Sequence, residues 1–263
     1  YRSPMKNKKW RQAPIVRGIL NFVESLTLGI STLTFSASFF EEEQEGQTDK
    51  AAGNKKENVR MGLTVALALA LAVGIFMVLP YYLSLFFDRY ISSPTLLAFV
   101  EGMIRLLIFV GYVLLISGME DIRRVFMYHG AEHKCINCIE HGMELTVENV
   151  RKSSRRHKRC GTSFLLFVLI LSIVFFAFIR VDHRLLKLLL RLLLVPLIAG
   201  ISYEFIRLAG RSESKVIDIL SKPGLWLQGL TTREPDDSMI EVGIASVEAV
   251  FDWKTYLQEN DFK

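Results

Sequence analysis

The chain has 263 residues, of which 51% are hydrophobic, and it carries a formal net charge of +5. Its mean hydropathy of +0.29 excludes an ordinary soluble domain, because the apolar residues fall in blocks long enough to cross a bilayer. We therefore expect an all-α, polytopic membrane protein with about four transmembrane helices, an N-terminal amphipathic helix, and a cytoplasmic helical loop and tail.

The first 60 residues are predicted to form a cytoplasmic N-terminal region. Tyr1–Pro14 is basic, and residues 15–40 are apolar on one side, which predicts an amphipathic helix lying on the membrane or packed against the bundle. A fifth transmembrane helix is the alternative. Glu41–Arg60 is highly charged and predicts a flexible loop. Because the chain starts at Tyr1 without a methionine, we expect the natural N-terminus to be missing.

Four later apolar segments are long enough to span a bilayer, and they form two pairs at residues 61–118 and 163–208. The individual segments are Met61–Phe87, Thr95–Gly118, Ser163–Ile179 and Leu185–Leu208.

Two of these segments contain ionisable side chains. Glu101 and Arg105 lie four residues apart in the second, and Arg191 and Glu204 lie in the fourth. Charges at membrane depth usually pair or line a polar cavity, so both a structural ion pair and a functional cavity remain open. The hypothesis that the protein is a transporter is supported by Glu101, Arg105 and Arg191 alone.

The distribution of Lys and Arg predicts the orientation in the membrane. The connection Asp88–Pro94 carries only Arg89, whereas residues 119–162 carry nine basic residues. Positive residues favour the cytoplasmic side, so we expect the 119–162 loop, the tail at 209–263 and both termini to be cytoplasmic. The three cysteines fall on this loop, where thiols stay reduced and bind metal or pack as apolar side chains.

The same loop carries the most informative motif of the chain, an H-x-x-E-H sequence. His129 and His133 lie four residues apart, so on a helix both imidazoles share one face, with Glu132 beside them. Such an arrangement can hold zinc, and in zinc peptidases the glutamate acts as the general base.

Two histidines rarely suffice for zinc, which takes three or four protein ligands. If Cys138, His157 and Cys160 join one histidine, the site is closed and structural, whereas an open position permits catalysis. The candidates for completing the site are Glu140, Cys138, His157, Cys160 and the remote Glu204.

A basic run, Arg151–Arg159, attracts phosphate groups and predicts contact with anionic lipid headgroups. No aromatic residues are interspersed for base stacking, so no specific nucleic acid is expected. The chain also lacks a nucleophile elbow, a phosphate-binding glycine loop and a dinucleotide fingerprint.

Several motifs together resemble the YqhQ family of bacterial membrane proteins, a domain of unknown function. The matching segments are Arg17-Gly18, Val23–Leu26, Tyr128–Lys134, Leu145–Arg151, Arg159–Phe164, Ser202–Glu204 and Leu230–Pro235. Members are often labelled predicted metal-dependent enzymes, a label that depends on the same histidines. Family members also carry a glycine-rich segment with a glutamate near the N-terminus. In this chain only Arg2-Ser3-Pro4 resembles the end of that segment.

The resemblance extends to the candidate site. Cys138 matches many members, whereas Cys135 and His141 depart from the pattern, which weakens a C-x-x-C zinc motif. The residues that match the family pattern are His129, Glu132, His133, Glu140, His157, Cys160 and Glu204.

We therefore predict a protein of the bacterial cell membrane with a zinc site on its cytoplasmic face. As an enzyme it would be a metal-dependent hydrolase acting on a membrane-associated substrate, with Glu132 as the catalytic base. The alternative is a non-enzymatic accessory subunit or assembly factor of a larger membrane complex, such as protein-insertion machinery, with a structural metal.

Overall fold

A computed structural model describes residues 13–44, 53–179, 181, 183–212 and 214–260. Most of the basic segment Tyr1–Pro14, including Arg2-Ser3-Pro4, and residues 45–52 of the predicted loop lie outside these ranges.

Most of the described residues are helical and none of them forms a strand, which confirms the predicted fold class. They form α1 (Val16–Gln44), α2 (Gly53–Val73), a π-helical turn (Gly74–Val78), α3 (Leu79–Ser84), a 3₁₀ turn (Leu85–Phe87), α4 (Pro94–Ser117), α5 (Glu120–Glu140), α6 (Val147–Lys152), α7 (Gly161–Ala177), α8 (Arg184–Ala209), α9 (Lys215–Thr231), α10 (Asp237–Glu248) and α11 (Trp253–Glu259).

Within the described residues, four helices are long and apolar enough to cross a membrane: Val16–Ser36, Gly62–Phe87, Pro94–Ser117 and Leu185–Ala209. The number of candidate membrane helices matches the predicted four, but they are not the same four segments. The N-terminal helix qualifies, and the predicted third span is the shorter α7, at 17 residues. Several threonines of α1 donate their hydroxyl hydrogen bonds to carbonyls of the preceding turn, for example Thr27 to Val23 at 2.9 Å. These side chains are therefore less polar in the helix than their sequence pattern indicates.

The chain divides into two compact units. The first contains Tyr1–Leu106 and Leu169–Glu204, and the second contains Leu107–Val168 and Phe205–Lys263.

In the first unit, α1 packs closely against α8. A Cβ on Gly18 would lie 2.5 Å from the carbonyl oxygen of Gly200, so glycine is needed at this approach. Beside it, the Arg17 guanidinium donates to Glu204 at 3.0 and 2.5 Å, and Asn21 donates to the Tyr203 hydroxyl at 2.7 Å. These contacts favour the interpretation that the N-terminal helix packs against the bundle.

A buried charged cluster also lies in the first unit. Glu101 accepts hydrogen bonds from Arg105 at 2.9 Å and from Arg191 at 2.5 Å. The three residues are only 3%, 3% and 1% exposed. Arg105 also donates to the Phe76 carbonyl at 2.8 Å, in the π-helical turn, and to the Ser172 hydroxyl at 3.1 Å. The intramembrane charges are therefore paired, as such residues usually are.

The second unit is built on α5. Its core contains Cys135, Cys138 and Ile139 of α5, with Leu145, Val150 and Ile240 packed against them. Helix α5 ends one residue before its C-cap His141, and Gly142 follows with a φ of 73°, a backbone conformation that favours glycine and ends the helix. Thr146 is the N-cap of α6, because its side chain accepts a hydrogen bond from the Asn149 amide at 3.3 Å.

Candidate metal centre

The two motif histidines converge on one cysteine in the second unit. His129 and His133 project from one face of α5, and their ring centroids are 4.4 Å apart. Cys160 stands at the start of α7, and its Sγ lies 3.3 Å from Nε2 of His129. One donor atom from each of the three residues lies within 4.8 Å of the other two. We call this set the His-His-Cys group.

Backbone carbonyls fix the orientation of both imidazoles. His129 Nδ1 donates to the Thr231 carbonyl at 2.9 Å, and His133 Nδ1 donates to the Arg155 carbonyl at 2.8 Å. Each ring is thereby held with Nε2 free to face the group. Histidines that bind metals typically donate their other nitrogen in this manner, so the donor set fits a divalent ion.

The electrostatics of the group favour a thiolate. Burial raises the pKa of the Cys160 thiol, but hydrogen bonds from His129, His133 and Thr162 outweigh this effect and lower that pKa to about 5. Burial also lowers the pKa of His129, but the Cys160 contact prevails and the net pKa is raised. The deprotonated sulfur is the form that binds metals.

Two adjoining cavities lie beside the group. The smaller, about 300 Å³, is lined by all three members of the group and by Glu132, His157 and Arg159. The larger, about 910 Å³, shares His129, Glu132, Ile136 and Arg159 with it. The Glu132 side chain is exposed and lines both cavities, so a reacting molecule can reach it.

Glu140 and His157 bond each other beside the group. Nε2 of His157 contacts the Glu140 carboxylate at 3.0 Å, and Nδ1 accepts from the Arg159 amide at 3.3 Å. Glu140 also pairs with the Arg159 side chain. Burial and the nearby His133 lower the pKa of His157, which favours a neutral ring. Both predicted ligands are thus engaged with partners next to the group.

Cys138 and Glu204 have other partners. Cys138 lies in the core and donates to the Glu144 carbonyl at 3.4 Å. Burial raises its pKa, and raises that of its neighbour Cys135 to about 12, which suits apolar packing rather than metal binding. Glu204 belongs to the first unit, where it pairs with Arg17.

The basic run is largely paired with carboxylates. Arg151 pairs with Asp237 at 2.5 Å, and Lys158 pairs with Asp218 at 2.6 Å. Three further ion pairs follow the same pattern: Lys152 with Glu148, Arg155 with Glu234, and Arg159 with Glu140. Binding of anionic headgroups by this run stays a prediction, and these partners reduce the positive charge available for it.

Sequence reasoning missed the residues that hold the 151–157 loop over α5. Lys134, 4% exposed, donates to the carbonyls of Arg151 at 3.0 Å and Ser153 at 2.9 Å. Gln228, fully buried, exchanges two hydrogen bonds with the His157 backbone at 2.9 and 2.7 Å. Two features of the sequence could have indicated them. Lys134 directly follows the H-x-x-E-H motif, and Gln228 lies just before the family-matching segment Leu230–Pro235.

The fold and the group define a polytopic α-helical membrane protein with a candidate metal centre. Residues 13–253 match the family described as a protein of unknown function (DUF1385). The chain is also 32% identical over 256 residues to "Uncharacterized protein YqhQ" of Bacillus subtilis (strain 168), an alignment covering 95% of this chain and 80% of that protein. No solved structure matches. The chain therefore belongs to the DUF1385 family, as the motifs predicted.

Proposed function

We propose that the protein is a metal-dependent hydrolase acting on a membrane-associated substrate. One observation carries this proposal: the donor atoms of His129, His133 and Cys160 converge beside a cavity that Glu132 also lines. Three protein ligands with an adjoining cavity are typical of catalytic zinc sites, whereas closed structural sites have four.

Zinc is the ion we propose for the group, since imidazole and thiolate together favour it among abundant divalent metals. The ion would act as a Lewis acid that stabilises negative charge developing on the substrate. His129 and His133 would supply Nε2 and Cys160 its sulfur. Glu132 would accept a proton from the attacking water at its carboxylate and return it to the leaving group.

We also propose a location for the site. The basic residues between α4 and α7 favour the cytoplasmic face of a bacterial cell membrane, with the bilayer itself as a partner. Cys160 directly precedes the apolar helix α7, so the group would lie near the lipid surface. Both chain termini would be cytoplasmic if α1 lies along the bundle without crossing the membrane.

The non-enzymatic alternative has one observation in its favour. The His157 ring lies 6.0 Å from that of His133, so a fourth donor, a third imidazole nitrogen, is close to the group. If His157 left Glu140 and completed the set, the metal would be structural, and the protein could serve as an accessory subunit of a larger membrane complex.

The test uses the full chain purified in detergent. We expect about one zinc per chain in the wild type, loss of most zinc in His133→Ala, and retained zinc in Glu132→Gln. In proteoliposomes of bacterial phospholipid, Glu132→Gln should lower the metal-dependent formation of lipid hydrolysis products by about 10²–10⁴-fold, measured by mass spectrometry. Glu120→Gln, an exposed carboxylate on the same helix, is the matched control.

The outcomes separate the two proposals. A wild type without bound metal would overturn both. A Glu132→Gln protein that keeps both its zinc and its product formation would overturn the hydrolase. Zinc retention with a stable copurifying partner and no lipid product would favour the accessory subunit.

A further inference from the structure

The larger cavity is an apolar groove between α5 and the C-terminal helices. Its walls come from Ile136 and Ile139 of α5, Val242 and Val247 of α10, Phe251 in the turn before α11 and Tyr256 of α11, and its volume is about 910 Å³. Pockets of this size hold drug-sized ligands and bury most of their surface. We call this cavity the apolar groove.

The mouth of the apolar groove exposes large apolar side chains. Val250 is 85% exposed and Phe251 is 43% exposed, in the turn between α10 and α11. Val125 and Val242, which also line the groove, are exposed as well. Contiguous apolar surface of this kind marks a binding site or a membrane contact.

The apolar groove is continuous with the His-His-Cys group. Its polar end is formed by His129, Glu132 and Arg159, which also line the smaller cavity at the group. A molecule lying in the groove would therefore place one end beside Glu132. The shape fits an amphiphile with a long hydrocarbon part and one polar end.

We propose that the apolar groove takes an acyl chain of a membrane phospholipid and presents its ester bond to Glu132. This inference rests on the proposed hydrolase. Water would add to the ester carbon, Glu132 would take one proton from it, and the alkoxide would leave with that proton. The products would be a free fatty acid and a lysophospholipid.

The walls favour hydrocarbon over an extended apolar peptide. α5 and α10 form most of the groove, and the backbone groups within a helix already bond to one another. An extended peptide lying there would bury its own N–H and C=O groups without partners, which is strongly unfavourable in an apolar setting. An acyl chain carries no such groups.

The experiment places the full chain in nanodiscs of phosphatidylethanolamine and phosphatidylglycerol. A trace of phosphatidylglycerol with a diazirine in its acyl chain is activated by light, and the labelled residues are mapped by mass spectrometry. We expect labels at Ile136, Val247 and Phe251. Ser246→Trp, which fills the groove from an exposed position, should lower labelling by about fivefold or more. Ala245→Trp, exposed on the same helix but outside the lining, is the matched control.

Two outcomes would overturn the proposal. Labels spread evenly over the apolar surface in the wild type, or unchanged by Ser246→Trp, would show that the groove has no acyl chain. Groove labels displaced by a polyleucine peptide but not by added phospholipid would assign it to peptide instead. The Cys160→Ser protein should lose zinc yet keep groove labelling, so failure of the metal site and failure of the lipid site are distinguishable.

Discussion

His133 is fixed to the loop across α5 by a hydrogen bond from its Nδ1 to the carbonyl oxygen of Arg155, at 2.8 Å. The loop on either side of that carbonyl is held in place by side chains of the same helix. Lys134 and Asn137 donate to four loop carbonyls at 2.6–3.0 Å. The helix that supplies the histidines therefore also positions the backbone that orients one of them.

Replacing Lys134 should weaken both the fold and the metal site. In Lys134→Met, the carbonyls of Arg151 and Ser153 and the Glu234 carboxylate lose a charged donor, which should lower the free energy of unfolding by roughly 2–3 kcal/mol. Because the loop orients His133, zinc affinity should fall by about 10–100-fold. Thermal unfolding and zinc titration with a competing chelator measure the two effects.

The matched control is Lys152→Met. Lys152 is exposed and pairs with Glu148 one turn away, so its loss should change the free energy of unfolding by no more than about 0.5 kcal/mol. Equal effects of the two substitutions would contradict a positioning role for Lys134.

Cys160 should be the thiolate ligand of the centre. With Co²⁺ in place of zinc, the wild type should show a sulfur-to-cobalt charge-transfer band in the near ultraviolet, and Cys160→Ser should lack it. Cys138→Ala should keep the band, since Cys138 lies in the core and contacts backbone carbonyls. A band that disappears only in Cys138→Ala would show that Cys138, and not Cys160, supplies the sulfur ligand.

Removing the carboxylate of the intramembrane cluster should destabilise the first unit. In Glu101→Gln, Arg105 and Arg191 would remain buried without their shared counter-charge, which should lower stability by about 3–5 kcal/mol. Thermal denaturation in detergent is the measurement. Glu120→Gln, at an exposed helix start, should leave the midpoint within a degree or two of the wild type. A Glu101→Gln protein as stable as this control would show that the cluster is open to water.

The proposed orientation can be tested by cysteine labelling. Ser154→Cys, in the basic loop, should react with a membrane-impermeant maleimide only after cells are broken open. Ser92→Cys, in the connection before α4, should react in intact cells, as its loop carries a single basic residue. Both serines are exposed and the native cysteines are buried, so background labelling should be low. The reverse pattern would place the His-His-Cys group outside the cell.

The sequence predicted those parts of the site that depend on local geometry. His129 and His133 share a helix face because they are four residues apart, and Cys160 was a candidate because it lies on the loop that carries the motif. The carbonyls of Thr231 and Arg155 left no signal, since every residue has a carbonyl and only the fold brings these two to the rings.

Long-range contacts account for most of what the sequence could not indicate. The apolar groove requires α10 and α11 to pack near α5, about a hundred residues earlier in the chain, and no local pattern encodes that. The basic run predicted positive charge, but its partners Asp218, Glu234 and Asp237 come from the distant tail. The number of candidate membrane helices followed from apolar length, and α1 qualifies by the same measure. Its packing against α8 through Gly18 and Gly200 is a long-range contact that the sequence pattern did not indicate.

Gly130 should contribute to stability and to the metal site because of its contact with the segment after α9. A Cβ at this position would overlap the carbonyl oxygen of Arg233, whose amide bonds to the Phe126 carbonyl at 2.9 Å. In Gly130→Ala that segment must move, which should cost about 1–3 kcal/mol of stability. The shift would also displace the nearby Thr231 carbonyl from His129, so zinc affinity should fall.

The control is Gly111→Ala. No atom lies within 4 Å of its added Cβ, so this substitution should be neutral or slightly stabilising in its helix. Thermal unfolding with and without zinc separates the two effects, and a Gly130→Ala protein with unchanged zinc affinity would show that Thr231 does not orient the ligand.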